Sequence, residues 1–416
     1  MTIDTIDVLV IGAGPAGLST ARVLRERGVT NVLVVDREVE PGGIPRFCPH
    51  PTFGLAEFYR PMSGPAYARK LAGRIDPKLI RSSTTVTSIA SDLGVTLSTP
   101  TGEHALQPKR ILLATGIRET PRSARLVSGD RPLRVMTTGA LQRMVAVSHR
   151  LPFSHPLIVG TELVSFSAIL TLRDCGVRPV AMVESAERVQ TWRPAQSVTQ
   201  TFLGTQVLTS RRVISINAAK DDASRMESVT LADPSGNAST LACDAVIFTG
   251  RFLPEASLLS ALPLELTDTG SNGPAVDQSW RLANPGIYAA GNVLRSVETA
   301  GWAASEGAAA ANSIADDLQG RGARPERRVP VGVSGAIKLV TPSAISVPGP
   351  DPGPLQMTVR MARSARGRIT LDMDGKTIWR SAVITAHPER RLHLTRNLPD
   401  LSKAARLTVG FDEVAA

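Results

Sequence analysis

Cysteine, lysine and aromatic residues are all scarce in this sequence. Its three cysteines (Cys48, Cys175, Cys243) stand far apart among 416 residues, with no CxxC and no Cys/His cluster. That excludes a disulfide scaffold, a structural zinc site, a neighbouring-cysteine redox pair and an iron–sulfur cluster held by this chain alone, and no metal site is expected. Only seven of the 47 basic residues are lysine, the rest being arginine. Arginine stays protonated far above neutral pH, so it raises the isoelectric point to about 10.1 without adding charge at pH 7. The net charge of +10 is therefore the figure that needs a location. With aromatics at 4%, no stacking series is available for nucleic acid. No apolar run approaches the roughly 18 residues of a membrane span. No basic segment precedes the short apolar run Val8–Ile11, which argues against a signal peptide. Cytoplasmic residence is the expectation, with any inner-membrane association peripheral.

What is present is a chain that is 42% hydrophobic and long enough for two or three domains. Val8–Ile11 reads as a buried strand, Pro15 to Arg27 as a helix ended by Gly28, and Asn31–Asp36 as the next strand. Pro41-Gly-Gly43 opens an irregular stretch through Gly64, and Arg110–Gly116 is a buried strand ending at a glycine turn. After Ser128-Gly-Asp130 the pattern restarts: strand Leu157–Gly160, helix Val164–Asp174, strand Pro179–Glu184, a meander, and strand Ala245–Gly250. The two halves resemble one another, and such internal duplication outweighs any single motif. A third block, Asn284–Leu318, is a strand, Gly291-Asn292 and an alanine-rich helix. Gly320–Pro330 reads as a polar linker, and short alternating strands with an Asp374-Gly375 hairpin follow it.

Gly12-Ala-Gly14-Pro15-Ala16-Gly17 follows a strand and opens a helix, and Asp36 closes the second strand 19 residues after Gly17. The first glycine makes the tight turn, the second admits a pyrophosphate to the backbone, and the third lets helix and sheet approach. The helix N-terminus offers its free N–H groups to the phosphates, and the acid can bind ribose hydroxyls. Glu40-Pro-Gly-Gly43, Ala114-Thr115-Gly116 and Gly286-Ile-Tyr-Ala-Ala-Gly-Asn292 recur in that order.

With these motifs, residues 6 to 320 resemble the two-dinucleotide-domain flavoprotein superfamily, the pyridine nucleotide–disulfide oxidoreductase fold. The resemblance implies an α/β fold class: two Rossmann-like dinucleotide-binding domains plus a small C-terminal antiparallel β domain. It divides the chain into 1–126 and 245–325 for FAD, 127–244 for a second dinucleotide fold, and 326–416 for the β domain. It implies FAD as cofactor, held by Gly12, Gly14, Pro15, Ala16, Gly17, Asp36, Arg37, Gly43, Val86, Thr115, Gly116, Gly291, Asn292, Trp302 and Ala303. By the same resemblance Val86 is an adenine contact, and the helix beginning near Trp302-Ala303 points its N-terminus at the flavin. Asn292 stands where the family usually carries Asp.

In the second half, Leu157-Ile-Val-Gly160-Thr-Glu162-Leu-Val-Ser165 occupies the place of the family's NAD(P)H fingerprint. Glu162 puts a Cβ and a carboxylate where a pyrophosphate must approach, so sterics and charge both argue against NAD(P). A narrower resemblance runs through Pro41–His50, Phe53-Gly54, Ser63–Tyr67 and Ala114–Glu119. These segments are similar to the alpha, FAD-containing subunits of heteromeric opine oxidase, hydrogen cyanide synthase, sarcosine oxidase and dye-linked proline or hydroxyproline dehydrogenases. That resemblance implies a second FAD-containing subunit that oxidises an amine or amino-acid-like substrate, and a [2Fe–2S] cluster on a small partner chain. Two rivals stand beside it: a free-standing NAD(P)H-dependent reductase of ferredoxin or quinone, and a scaffold holding FAD structurally. Cys48 and His50 are the only catalytic candidates, on loop position alone. Residues 326–416 carry 14 basic and 8 acidic residues, which locates most of the excess charge there and suggests an acidic partner.

Overall fold

The structure is a computed structural model that describes residues 4–190, 204–262, 270–295, 297–322, 325–349, 354–388 and 390–414. The chain divides into two units: Met1–Gly43, Tyr67–Ile117 and Leu253–Ala416 form one, and Ile44–Ala66 and Arg118–Phe252 the other.

The first unit begins with β1 (Asp4–Ile11), β2 (Val32–Val35), β3 (Ile80–Arg81), β4 (Thr85–Ile89), β5 (Val95–Thr99) and β6 (Gly102–Leu113), ordered β3-β2-β1-β6-β5-β4. The strand Ile287–Ala289 pairs in parallel with the end of β6, through Ile287↔Ile111 and Ala289↔Leu113. Val8, Leu9 and Val10 are all 0% exposed, as expected for a parallel strand covered on both faces. Each such buried side chain contributes roughly 1.5–3 kcal/mol. The helix Pro15–Glu26 starts at a proline, whose missing N–H costs nothing in the first turn. It packs on the helix Ala300–Leu318, where Thr20 donates to the Gly307 carbonyl at 2.8 Å. A Cβ at Gly307 would lie 2.1 Å from the Ala16 carbonyl oxygen, so the approach of the two helices requires glycine there.

The second unit repeats the plan. Five parallel strands run in the spatial order Val207–Leu208, Ala181–Val183, Pro156–Val159, Ala245–Phe248, Val135–Thr137, beside a three-stranded meander to which Ser128–Gly129 adds a parallel edge. The helix Leu163–Asp174 follows the central strand as Pro15–Glu26 follows β1. The whole is an α/β fold of two Rossmann-like dinucleotide-binding folds with a further, mostly antiparallel β region.

That region, Arg327–Glu413, holds a six-stranded and a three-stranded sheet around one apolar core that includes Val329, Val359, Leu371, Leu407 and Val409. One pairing, Val331↔Leu407, is parallel. The sequence expectation of a linker through Pro330 is corrected here, because a strand runs Arg327–Val333. Its Arg/Pro composition hides the alternation that places Val329 and Val331 inward at 0% and 4% exposure. These sheets group with the first unit through a buried polar anchor. The Asp277 carboxylate accepts from the Ser279 and Arg281 N–H groups at 2.8 and 3.0 Å, and from the Ser346 hydroxyl at 2.6 Å. Arg328 lies 3.6 Å from the same carboxylate, and Gln278 exchanges two hydrogen bonds with the backbone of Ser346.

Asp277→Ala leaves Arg328 and Ser346 facing a void, and truncating one partner of a buried pair costs about 3–5 kcal/mol. The thermal unfolding midpoint of D277A is expected to fall by several degrees, and that of D277N by less. An unchanged midpoint in D277A would contradict this anchoring role.

Candidate functional site

The fingerprint of the first unit is built from backbone that excludes Cβ atoms. Gly12 has φ +107°, and a Cβ there would lie 2.4 Å from the Ala114 carbonyl oxygen. A Cβ at Gly17 would lie 1.9 Å from the Gly12 carbonyl oxygen. Gly14 is different: a Cβ there meets only the Gly43 Cα, at 3.9 Å. Gly43 faces it with φ +64°, and Gly42 donates to the Ala13 carbonyl at 2.7 Å, which holds the two loops together. Gly14 and Gly43 thus wall a cradle that a side chain would fill. Gly14 is also the N-cap of Pro15–Glu26, with no side-chain cap and no acid in the first turn, so the helix N–H groups keep room for an anion.

The other residues expected from sequence surround this cradle. Asp36 accepts from the Ala13 N–H at 2.6 Å and the Glu38 N–H at 2.9 Å, which fixes its carboxylate beside the fingerprint, and Arg37 next to it is exposed. A Cβ at Gly12 would lie 3.4 Å from the Thr115 nitrogen, and Thr115 donates to the Glu255 carbonyl at 2.6 Å. Gly116 has φ +75° with open space beside it. A Cβ at Gly291 (φ +80°) would meet the Ala16 Cβ at 3.0 Å and the Ala303 Cβ at 3.5 Å, so this loop closes over the first turn of the fingerprint helix. Asn292 spends its amide on Glu298: it accepts from the Glu298 N–H at 2.7 Å and donates to the Glu298 carbonyl at 3.3 Å. Trp302 stands in the first turn of Ala300–Leu318 at 44% exposure. Val86 lines an open cleft of about 390 Å³ with Thr85, Ser88, Ser257 and Ser260. Gly12, Gly14, Pro15, Ala16, Gly17, Asp36, Gly43, Thr115, Gly291 and Ala303 are therefore linked by direct neighbours, Trp302 adjoins Ala303 in the chain, and Val86 is placed only by the cleft it lines.

Sequence reasoning passed over a buried ionic cluster next to Gly291. Arg295, 1% exposed, pairs with Glu298 at 3.3 Å and with Glu306. Glu306 also accepts from the Gly291 N–H at 3.2 Å. Burial pushes the Glu306 carboxyl up, against the pull of Arg295. The one available signal was a glutamate set among alanines on a buried helix face, since an acid in such a place needs a partner.

In the second unit the corresponding cradle is filled from within. Gly160 (φ +124°) and Gly250 (φ +66°) face each other as strand ends do in a dinucleotide site, but a Cβ at Gly250 would lie 2.2 Å from Glu162 Oε1, and one at Gly160 2.5 Å from Glu162 Oε2. The Glu162 carboxylate accepts from Thr249 at 2.8 Å and Ser165 at 3.2 Å. Glu184, the acid at the end of the next strand, is 6% exposed and accepts from Thr161 at 2.5 Å and the Ala186 N–H at 2.9 Å. Arg125 crosses the Phe248 ring and donates to the Thr249 and Gly250 carbonyls at 2.9 and 2.7 Å.

Cys48 and His50 belong to this second unit and share one network. The Cys48 thiol lies 3.6 Å from Gln142 Oε1, Gln142 donates to Ser167 Oγ at 2.7 Å, and Ser167 lies 2.5 Å from His50 Nε2. His50 Nδ1 meets Thr52 at 2.8 Å, and its ring stacks on Phe53. Burial pushes the Cys48 thiol up to about 12, so it is protonated at neutral pH and a poor nucleophile. Burial holds the imidazole below its ordinary value of 6.5. All three cysteines are free thiols. No group of three His, Cys, Asp or Glu side chains among the described residues is arranged to hold a metal, and no described helix is long and apolar enough to cross a membrane.

Residues 6–307 match the profile of the pyridine nucleotide-disulphide oxidoreductase family, and the chain belongs to that family. It is an FAD-dependent oxidoreductase, and the first cradle fits that cofactor: glycine at every close approach, and an acid and a bare helix N-terminus beside the opening. No curated protein matches the chain significantly. Among solved structures, the thioredoxin reductase of T. acidophilum is similar with a TM-score of 0.63 and 20% identity, over 75% of this chain and 98% of that one. The L-proline dehydrogenase of P. horikoshii is similar with a TM-score of 0.57 and 17% identity, over 77% of this chain and 57% of that one. A NAD-dependent persulfide reductase of A. fulgidus is similar with a TM-score of 0.57 and 19% identity, over 89% of this chain and 68% of that one.

Gly14→Ala puts a Cβ into the cradle without a clash in the fold, so the variant is expected to stay near the apoprotein's unfolding midpoint and to lose FAD, read as flavin absorbance after gel filtration. Gly17→Val is expected to lower the midpoint as well, because its side chain meets the backbone of Gly12. His50 has a lowered folded-state pKa, so the unfolded chain binds the extra proton first as pH falls. Stability of the second unit is therefore full above pH 6.5 and declines as pH falls below that value. Hydrogen exchange of residues 44–66 at pH 7.5 and 5.5 is expected to show this loss, and His50→Gln to flatten it.

Proposed function

We propose that the chain is the FAD-containing subunit of a heteromeric dehydrogenase or oxidase acting on an amine or amino-acid-like small molecule. In this reading its flavin exchanges electrons with a second FAD-containing, substrate-oxidising subunit and a small iron–sulfur protein, in the cytoplasm or peripherally at the inner membrane. The observation that carries it is the Glu162 carboxylate lodged between Gly160 and Gly250. A pyrophosphate entering there meets a side chain already hydrogen-bonded to Thr249 and Ser165, and placing like charges together costs about several kcal/mol. Electrons must then reach the flavin by a route other than NAD(P)H.

The cysteines support the same reading. Disulfide reduction needs two thiols able to exchange with each other, and Cys48 is alone in its network with a thiol held in the protonated form. The likeness to a protein described as L-proline dehydrogenase also supports an amino-acid substrate for the assembly. Bound FAD supplies the redox chemistry. The chain's own part is to bind it at Gly12–Gly17, Asp36 and Gly43, to fix the Gly291 loop over it, and to keep the second cradle closed.

A second reading, a free-standing NAD(P)H-dependent reductase, is favoured by the intact parallel sheet of the second unit and by the likeness to a protein described as NAD-dependent. It requires Glu162 to swing out of its pocket. Anaerobic titration of the purified holoprotein separates the two. Under the first reading NADH and NADPH leave the flavin oxidised for minutes while dithionite bleaches it, and Glu162→Gly raises the rate of bleaching by NAD(P)H at least tenfold. Rapid stoichiometric bleaching of the native protein would overturn the first reading.

A further inference from the structure

The residues that close the FAD cradle are held from outside the part of the chain that the family profile covers. Gly291 and Asn292 meet Glu298 twice: Asn292 clasps both backbone groups of Glu298, and Glu306, bonded to the Gly291 N–H, is bridged to the Glu298 carboxylate by Arg295. The other side of that carboxylate is taken by two arginines from the C-terminal sheets. Arg360, on the strand Leu355–Met361, reaches Glu298 Oε2 at 2.9 Å, and Arg391 bonds to the same oxygen. The Arg391 guanidinium also lies 3.9 Å over the ring of Trp302, against which His393 is tilted at 5.4 Å. Glu298 is 2% exposed in its side chain, so its charge is stable only while these partners are present. Three arginines meet two glutamates here, and residues 291–295 and 297–298 are gripped between the fingerprint helix and the C-terminal sheets.

We propose that Glu298 is a positioning residue for the FAD cradle and that Arg360 and Arg391 hold it in place, so FAD retention depends on strands beyond the family's match. This rests on FAD occupying the first cradle. The coupling is reciprocal, because a ligand that orders the Gly291 loop must stabilise whatever the loop is tied to. Asn at position 292 suits this arrangement. Asp would lose the donor to the Glu298 carbonyl.

The test starts from native holoprotein, whose FAD content and dissociation constant are measured first. A native protein that retains no FAD would defeat the cofactor assignment before any variant is compared. Arg360→Met with Arg391→Met is expected to weaken FAD binding at least tenfold and to change the visible circular dichroism of the bound flavin. Arg391→Lys, which keeps charge but loses the planar stack on Trp302, is expected to recover only part of the affinity. Arg363→Met, which breaks an exposed pair with Glu413, is expected to change neither quantity. Hydrogen exchange of the native chain with and without FAD needs no variant. The strands Leu355–Met361 and Leu392–Arg396 are expected to exchange at least threefold more slowly with FAD, and Lys376–Arg380 to be unaffected. Native FAD affinity and flavin dichroism in the double variant, an equal loss in Arg363→Met, or unchanged exchange in those two strands would overturn the proposal.

Discussion

A phosphate can lie against a peptide backbone only where no Cβ intervenes, and both halves of this chain are organised around that constraint. In the first unit it is met. Gly12 and Gly17 give up side chains so that turn, sheet and helix can close, and Gly14 and Gly43 leave the space itself empty. In the second unit the same turn geometry survives at Gly160 and Gly250, but the space between them is taken by a side chain from the turn. The two cradles differ in one residue of the loop, Gly14 against Glu162, more than in the sheets that support them. The parallel strands of the second unit are stabilised by their own burial, and the glutamate in its turn is held by Thr249 and Ser165.

The buried charges obey a second constraint. An arginine at 1% exposure is costly unless its partners are fixed, and Arg295 has two. Each partner is in turn committed to something that bears on the cradle: Glu306 to the Gly291 N–H, and Glu298 to Asn292 and to the C-terminal arginines. Glu298 is the shared member, because removing it takes a partner from Arg295, Arg360 and Arg391 at once. Such a cluster contributes less to net stability than its short contacts suggest, and more to holding one arrangement of the loop.

The local parts of this architecture were legible in the sequence. The strand, glycine turn, helix and Asp36 fall within one short stretch, and the repeat of that pattern after residue 156 disclosed the second fold. Glu162 could be read as an obstruction because its position in the motif carries its meaning. Its partner Thr249 lies 87 residues away and could not be read. Arg360 and Arg391 are 62 and 93 residues from Glu298, on strands whose composition announces only a charged surface. The strand Arg327–Val333 was masked by its arginines and proline, which outweigh three alternating valines in any short window. Cys48 and His50 stood out by residue type, but their chemistry is set by burial and by Gln142 and Ser167, neither of which marks itself in sequence.

The excess positive charge takes on a different meaning once its arginines have partners. Fourteen basic residues against eight acidic ones in the last 91 residues suggest a surface facing an acidic partner. Several of those arginines do not face solvent as free charges. Arg360 and Arg391 neutralise Glu298, Arg328 sits against Asp277, Arg363 pairs with Glu413, and Arg327 donates to the Ser402 and Ala404 carbonyls. Arg380 lies 3.7 Å from Asp412, and among the described residues the other nine bases of the segment, Arg327, Lys338, Arg366, Arg368, Lys376, Arg390, Arg396, Lys403 and Arg406, have no carboxylate partner, although Arg396 lies over Trp379. Three of the fourteen bases, Arg328, Arg360 and Arg391, thus meet acids contributed by the FAD fold, Asp277 and Glu298. Counting charge by segment separates these three arginines from their acids and makes the segment look more basic than its contacts are. Counting by contact joins them, and ties the segment to Glu298, whose backbone is bonded to Asn292.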